Sequence, residues 1–326
     1  MAVALGVIRG LRLLMLNFLL RRVLQMIPTL MGVILLVFFL FKYFGGDPAE
    51  ILGGLQASAE QIESIRNELG LNRPLWEQLW MFLVKVVTLD WGSSWATREP
   101  VAQIFQSRLP ATLTVMVPIL ILEVALGIVA GMAVAYVRGS LTDRVVMIVC
   151  TVAMSISFLV YIIFGQYLFA FRLGWFPVQG WSDHLATNLV SFAPLPVLLA
   201  VLVALGPHTR LYRSFFLDEI GQDYVRTARA KGLGENRILF THVLRNAMIP
   251  ILTNIATHLP SVFIGSFLIE VFFSIPGLGR EVYSAVNRSD YPVIEAVTIY
   301  LALLTMVINL LTDLLYKWVD PRVVLK

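Results

Sequence analysis

Residues Asp223–Pro250 read DYVRTARAKGLGENRILFTHVLRNAMIP, a polar interval between two strongly apolar ones, Ala193–Gly206 and Met248–Phe273. The interval carries Arg226, Arg229, Lys231, Arg237 and Arg245 against Asp223 and Glu235. Small residues gather at its middle: Ala228, Ala230, Gly232 and Gly234. A short helix with a small-residue face lets another protein's surface approach its backbone. The glycines then end that helix, and a second helix starts near Glu235 and runs into the next apolar block. The stretch predicts two short helices at a bend, outside the lipid, shaped to be gripped.

Working outward, the flanking blocks are two of six, at approximately 23–44, 113–136, 145–171, 189–205, 247–273 and 293–318. A helix needs roughly 20 apolar residues to cross the hydrocarbon of a bilayer. Of the 326 residues, 58% are hydrophobic and 14% charged, against about 45–50% and about 25% in soluble domains. Too little polar chain remains for soluble domains of any size. The class is therefore all-α: a polytopic, multi-pass membrane protein with six transmembrane helices.

Net charge is a mild +4, and its distribution says more than its sum. Arg9, Arg12, Arg21, Arg22, Arg138, Arg144, Arg210 and Arg213 fall on one side of the six-span topology, with the basic residues of the opening stretch and Lys317, Arg322 and Lys326. The other side holds Arg66 and Lys85 among more numerous acids. Basic residues near span ends favour the cytoplasm, so both termini and the bent loop are expected there. No nucleic-acid partner is expected, because the loop's charges are few and lack interleaved aromatics. Cys150 is the single cysteine, so no disulfide or thiolate cluster forms within the chain. The histidines His184, His208, His242 and His258 show no metal-ligand spacing. The sequence lacks the Gly-rich, Lys-containing phosphate cradle of an ATPase.

Residues 1–22 mix apolar residues with four arginines. No small-residue cleavage site marks a signal peptide, and an amphipathic N-terminal segment on the inner surface is expected. The membrane domain then covers 23–326, with an outer helical cap at 45–110 and the cytoplasmic loop at 208–246. Within the cap, Ser58 with Gln61 fits a capping box, Gly70 stops that helix near Leu69, and Pro74 starts another over Leu75–Val87. Trp76, Trp80, Trp91 and Trp95 mark a membrane interface.

Polar residues inside the spans are the candidates for a pathway. Glu123 in the second span costs roughly 2.5–3.5 kcal/mol on insertion scales at a helix centre. It either bonds a neighbouring helix or lines a water-filled path. Ser155, Ser157, Tyr161 and Gln166 in the third span suit helix–helix contacts first, with Tyr161 and Gln166 also candidates for the path. The prolines Pro194, Pro196 and Pro207 predict a bent fourth span. Asn254, Thr257 and His258 share one face of the fifth and must meet protein or water. Asp313 lies one turn from Lys317, which predicts a local ion pair.

The run Thr227-Ala228-Arg229-Ala230-Lys231-Gly232, with Tyr224 before it and Arg245-Asn246-Ala247 after it, resembles the coupling loop of ABC importer permeases. The nearest branch is the first permease of dipeptide, oligopeptide and nickel importers. Further matches are Phe18-Leu19-Leu20-Arg21-Arg22, Glu68-Leu69-Gly70-Leu71, Asp90-Trp91-Gly92-Ser93-Ser94, Arg108-Leu109-Pro110-Ala111-Thr112 and Asp320-Pro321-Arg322. Residues before Phe18 would be an extension or reflect an upstream start codon. The broader family's loop has Glu at the place of Arg226 and Pro at the place of Arg245, so the match is to the peptide branch rather than to sugar permeases.

The resemblance implies the type I ABC importer permease fold in a bacterial inner membrane. It also implies a second homologous permease subunit, two cytoplasmic ATPase subunits carrying ATP and Mg, and a periplasmic or lipid-anchored solute-binding protein. No cofactor is expected on this chain, and the chain itself is not an enzyme. Asp223, Tyr224, Thr227, Ala228, Arg229, Ala230, Lys231, Gly232 and Arg237 would couple to the ATPases. Pro276, Gly277 and Gly279, with Asp290 and Tyr291, would lie under the docked binding protein. Substrates in this branch include dipeptides, longer peptides, glutathione-like peptides, peptide antibiotics and nickel. An ion-coupled secondary transporter using Glu123, Asp313 and His258, or a membrane hydrolase, are the rival readings. The chain shows no internal repeat and no nucleophile motif in support of either.

Overall fold

The computed structural model describes the backbone at residues 2–54 and 56–319, and side chains from residue 20 to residue 313 except 55. Among these residues the chain is helical, with one isolated backbone bridge between Ser93 and Pro100. The helices are α1 Ala2–Phe44, α2 Pro48–Gly53, α3 Ala59–Glu68, α4 Leu75–Thr88, α5 Val101–Tyr136, α6 Leu141–Ser155, α7 Phe158–Gly165, α8 Leu185–Thr187, α9 Pro194–Ile220, α10 Asp223–Ala230, α11 Glu235–Arg237, α12 Leu244–Ile264, α13 Phe267–Phe272, α14 Leu278–Asn287 and α15 Tyr291–Val319. Wider π-type turns extend α7 over Gln166–Arg172, follow α8 at Asn188–Phe192, and join α11 to α12 over Ile238–Val243.

Five helical stretches are long and apolar enough to cross a membrane: Leu20–Phe44, Val101–Tyr136, Pro194–Ile220, Glu235–Phe272 and Tyr291–Asp313. The sixth is the pair Leu141–Ser155 and Phe158–Arg172, bent by 89°. The third apolar block, expected as one span, is thus a broken one. Ile156 and Ser157 are extended. Ser155 Oγ donates to Thr151 O at 2.9 Å, and the Tyr161 hydroxyl donates to Ala153 O at 3.0 Å. Ala153 O, which also accepts Ile156 N–H at 3.3 Å, thus gains a side-chain donor at the break, in keeping with the need to satisfy backbone groups at membrane depth.

The fourth span runs further than expected. Pro194 and Pro196 occupy the first turn of α9, where no intrahelical amide is needed. Pro207 lies inside a helix that continues unbroken to Ile220. Tyr212 and Phe216, both 0% exposed, carry the buried side past the predicted end near Leu205. α1 likewise runs without a break through residue 22 into the first span.

The chain forms two compact units. One is drawn from residues up to Gln106 and from Val282 on. In it, Ile34, Val37 and Phe38 of α1 pack with Phe82 and Val86 of α4 and Ile299 of α15. Val101 and Ile104 pack with Ala285, Val293 and Val297. Arg22 pairs with Asp313 at 2.9 Å; the expected Asp313–Lys317 pair lies outside the described residues, which do not include the Lys317 side chain. The cap helices follow their local signals. Ser58 N–H donates to Gln61 Oε1 at 2.9 Å, Gln61 N–H donates to Ser58 Oγ at 3.2 Å, and Gly70 at φ +69° ends the helix.

The other unit is Ser107–Glu281. α9 is its centre. A Cβ at Gly131 would lie 2.9 Å from Arg213 N and from Tyr212 Cβ, and one at Gly127 would lie 2.9 Å from His208 Cβ. Two glycines one turn apart therefore bring α5 onto α9, the small-residue packing usual between membrane helices. α6 is tied to α9 by Asp143, whose carboxylate receives Arg213 Nε at 2.8 Å, an Arg213 terminal NH2 at 2.7 Å and Gly139 N–H at 2.9 Å.

Gly131→Val should therefore push α5 off α9 and destabilise the detergent-extracted protein by at least about 2 kcal/mol. Gly32→Ala, with open space around the added carbon, should leave the thermal unfolding midpoint unchanged or slightly raised. Equal midpoints for the two variants would contradict the packing described.

Candidate coupling surface and membrane polar face

α10 forms because Gln222 is extended before it and Asp223 places a negative charge in its first turn. It ends where Gly232 adopts φ +76°, with Gly232 N–H donating to Arg229 O at 2.9 Å and Leu233 N–H donating to Ala228 O at 3.3 Å. No atom lies within 4 Å of a Cβ built there, so Gly232 is required by the backbone and not by crowding.

Two side chains of α10 turn inward. Val225 and Ala228 are 0% and 6% exposed, in a cluster with Tyr212 and Phe216 of α9, Ile238, Leu239 and Val243, and Ala247 and Ile251 of α12. Tyr224 adds a hydrogen bond to Glu219 at the end of α9. Burial first, and then the Glu219 carboxylate, push its hydroxyl up to about 12.

Asp223, Arg226, Thr227, Arg229, Ala230, Lys231, Gly232 and Arg237 are exposed. Ala228, expected on the gripped face beside Ala230 and Gly232, is instead part of the chain's own core. Arg229 closes the bend: its Nε donates to Glu235 Oε1 at 2.7 Å and an NH2 donates to Glu235 Oε2 at 3.2 Å. The Arg226–Asp223 pair at 3.4 Å is fully on the surface and contributes little.

The intramembrane candidates separate into two groups. Tyr161 is held by Ala153 O, and Gln166 Nε2 donates to Val178 O and Phe272 O, each at 3.0 Å. Both fasten backbone. Asn254, Thr257 and His258 belong to a second group. Tyr212 donates its hydroxyl to Asn254 Oδ1 at 3.1 Å, Thr257 Oγ1 donates to Asn254 O at 2.7 Å, and the rings of His208 and His258 lie 5.6 Å apart. Glu123 sits one turn before Gly127 on the α5 face that meets His208. His208 and Tyr212 are the members that sequence reasoning missed. Their i, i+4 spacing on α9 was the available signal.

The outer-loop candidates are internal. Glu270 is 2% exposed and accepts from Thr112 Oγ1 at 2.8 Å and from Arg280 N–H at 2.8 Å. A Cβ at Gly277 would meet its carboxylate at 2.4–2.6 Å, and one at Gly279 would lie 3.0 Å from Oε2. The two glycines therefore wrap the carboxylate, with Pro276 half-buried beside them. Sequence reasoning gave Glu270 no role.

In the other unit, Asp290 is 3% exposed. It accepts the Ser94 hydroxyl and the amides of Trp95 at 2.9 Å and Ala96 at 3.4 Å. Tyr291 packs between Phe41 and Trp95, with ring centres 5.1 and 5.4 Å away. Asp290 is thus turned into the fold, and Tyr291 packs among aromatic rings.

Residues 124–325 match the family described as binding-protein-dependent transport system inner membrane component, and residues 15–116 match its N-terminal counterpart. The chain belongs to this family. It is an ABC importer permease. A protein described as a peptide transport system permease in Brucella abortus (strain 2308) is 38% identical over 307 residues, covering 93% of this chain and 98% of that relative. A glutathione transport system permease protein of Shigella flexneri serotype 5b is 35% identical over 312 residues, covering 95% and 99%. Its counterpart in Salmonella typhi is 36% identical over 312 residues, again covering 95% and 99%.

In this permease Glu270→Ala removes the acceptor for Thr112 and for the Arg280 amide and leaves a buried void. It should lower stability by about 2–4 kcal/mol, while Glu270→Gln should recover most of the loss. Thermal unfolding of the extracted protein checks this. An Ala variant as stable as the parent would refute the carboxylate's organising role.

Proposed function

We propose that the permease carries di- or oligopeptides inward across the bacterial inner membrane and is driven through α10 by ATPase subunits that bind ATP and Mg. Both termini and α10 face the cytoplasm in this reading. A second permease of the same fold completes the pathway, and a solute-binding protein delivers the substrate on the other side.

One observation supports it above others. α10 is fastened by Val225 and Ala228 into a core shared by α9 and α12, while its basic side is free. A partner holding that outer side moves the ends of two spans together, with no need for the loop to be stiff by itself. ATP-driven closure of the partner then biases one of two arrangements of the spans, as an alternating path requires. Arg226, Thr227, Lys231 and Arg237 supply polar register, and Ala230 with Gly232 supply close approach.

Glu123, Asn254, Thr257 and His258 are placed along the path, because a polar face in an apolar helix meets protein or water. Peptides are favoured as cargo by the names of the relatives. The described residues include no group of three or more His, Cys, Asp or Glu side chains that could hold a metal ion, so nickel has less support.

Arg226→Glu with Lys231→Glu should cut uptake of a labelled dipeptide by at least about tenfold by reversing charge across a docked surface. Membrane insertion should be normal. Uptake of nickel, measured in parallel, should not depend on the chain. Undiminished peptide uptake in the double variant, or chain-dependent nickel uptake without peptide uptake, would refute the reading.

A further inference from the structure

A cavity of about 690 Å³ lies within the unit that contains α1, α4 and α15. Its size falls in the range of about 300–1,000 Å³ typical of small-ligand sites. One part of its wall is aromatic: Phe38, Phe41, Trp91, Trp95 and Tyr291. Lys42, Lys85, Glu68 and Glu295 supply charge.

The depth of the cavity follows from its lining. Lys42 is two residues from the end of the first span, and Tyr291 is the first residue of the last. The cavity therefore opens where these two spans leave the hydrocarbon, the level favoured by Trp, Tyr and Lys.

The charged groups differ in availability. Arg66 also lines the cavity, but its guanidinium is committed to Asp47 and Glu63. Lys42 Nζ uses one of its three donors on Gln78 Oε1 at 2.8 Å. Lys85 makes no side-chain hydrogen bond or close ion pair among the described residues, but it lies near enough to Glu295 to interact with it electrostatically. Glu68 and Glu295 are carboxyls without a hydrogen-bonded partner there. Two ammonium groups and two carboxyls thus balance, and a ligand that keeps the site neutral while meeting both kinds of group carries both signs.

The surroundings add an apolar requirement. α1 exposes Leu36, Phe39, Leu40 and Tyr43 beside the cavity, and Tyr43 also lines it. α4 exposes Trp76, Trp80, Val84 and Val87. Acyl chains of a lipid held at the cavity match this surface.

We propose that this cavity holds the zwitterionic headgroup of a membrane phosphatidylethanolamine, phosphate on Lys42 and Lys85 and amine toward Glu68 and Glu295, with its acyl chains along the exposed sides of α1 and α4. The lipid would brace the cap helix α4 against α1 and α15.

The test uses the full-length chain purified with its partner subunits from bilayer discs of phosphatidylethanolamine or of phosphatidylglycerol, with retained lipid counted by mass spectrometry after detergent washing. Phosphatidylethanolamine should be retained. Lys42→Gln with Lys85→Gln should lower retention by at least about tenfold, and Lys42→Arg with Lys85→Arg should preserve it. Soluble glycerophosphoethanolamine should compete only weakly. The proposal fails if no lipid is retained, if the Gln pair retains as much as the parent, or if phosphatidylglycerol is held in preference. It also fails if the soluble headgroup or a dipeptide displaces the lipid at equal concentration.

Discussion

Inside hydrocarbon no water competes for a backbone amide or carbonyl, so every such group must find its partner within the chain. That constraint explains the spans and also the places where they break. At Ile156–Ser157 the helix stops, and the Tyr161 hydroxyl joins Ile156 N–H on the carbonyl of Ala153. At Gln166 a side-chain amide bonds two carbonyls from separate segments. At Gly265 the backbone takes φ +77° and Ser266 caps the next helix. Polar side chains that a hydropathy plot reads as pathway candidates are, at these points, repairs to the backbone.

The same need for close packing sets the mechanics. α9 meets α5 across glycines and α6 through Asp143–Arg213, and it extends beyond the membrane level to meet α10. The apolar side of α10 continues the core of the spans. A fully buried Val contributes about 1.5–3 kcal/mol, so displacing α10 alone costs more than moving it with α9 and α12. Packed elements of this kind shift as bodies instead of deforming continuously. In the proposed coupling, a short helix would therefore act as a lever on much longer ones.

Much of this was legible in the sequence, and the reasons differ by element. The capping box at Ser58 and Gln61, the Gly70 stop and the Pro74 start are local signals, and local hydrogen bonds execute them. The turn at Gly232 and the helix restart at Glu235 were readable for the same reason. The inward side of α10 was not, because composition marks Ala228 and Ala230 alike and only the facing residues of α9 and α12 separate them. The bend after Ser155 contains neither Pro nor Gly and depends on a hydroxyl six residues later. The roles of Glu270 and Asp290 rest on partners 158 and 196 residues away, and no spacing rule reaches that far. Length likewise misled at α9, where buried Tyr212 and Phe216 carry the helix past its apolar block.

The central claim is that α10 is held by another subunit on the cytoplasmic side. The most direct measurement is disulfide or bifunctional cross-linking from Thr227→Cys in intact membranes, with Cys150, which is buried, replaced by Ala. The account predicts a cross-link to the ATPase subunit whose yield changes with ATP. Labelling of that cysteine by an impermeant thiol reagent added outside intact cells, with no subunit captured, would contradict it.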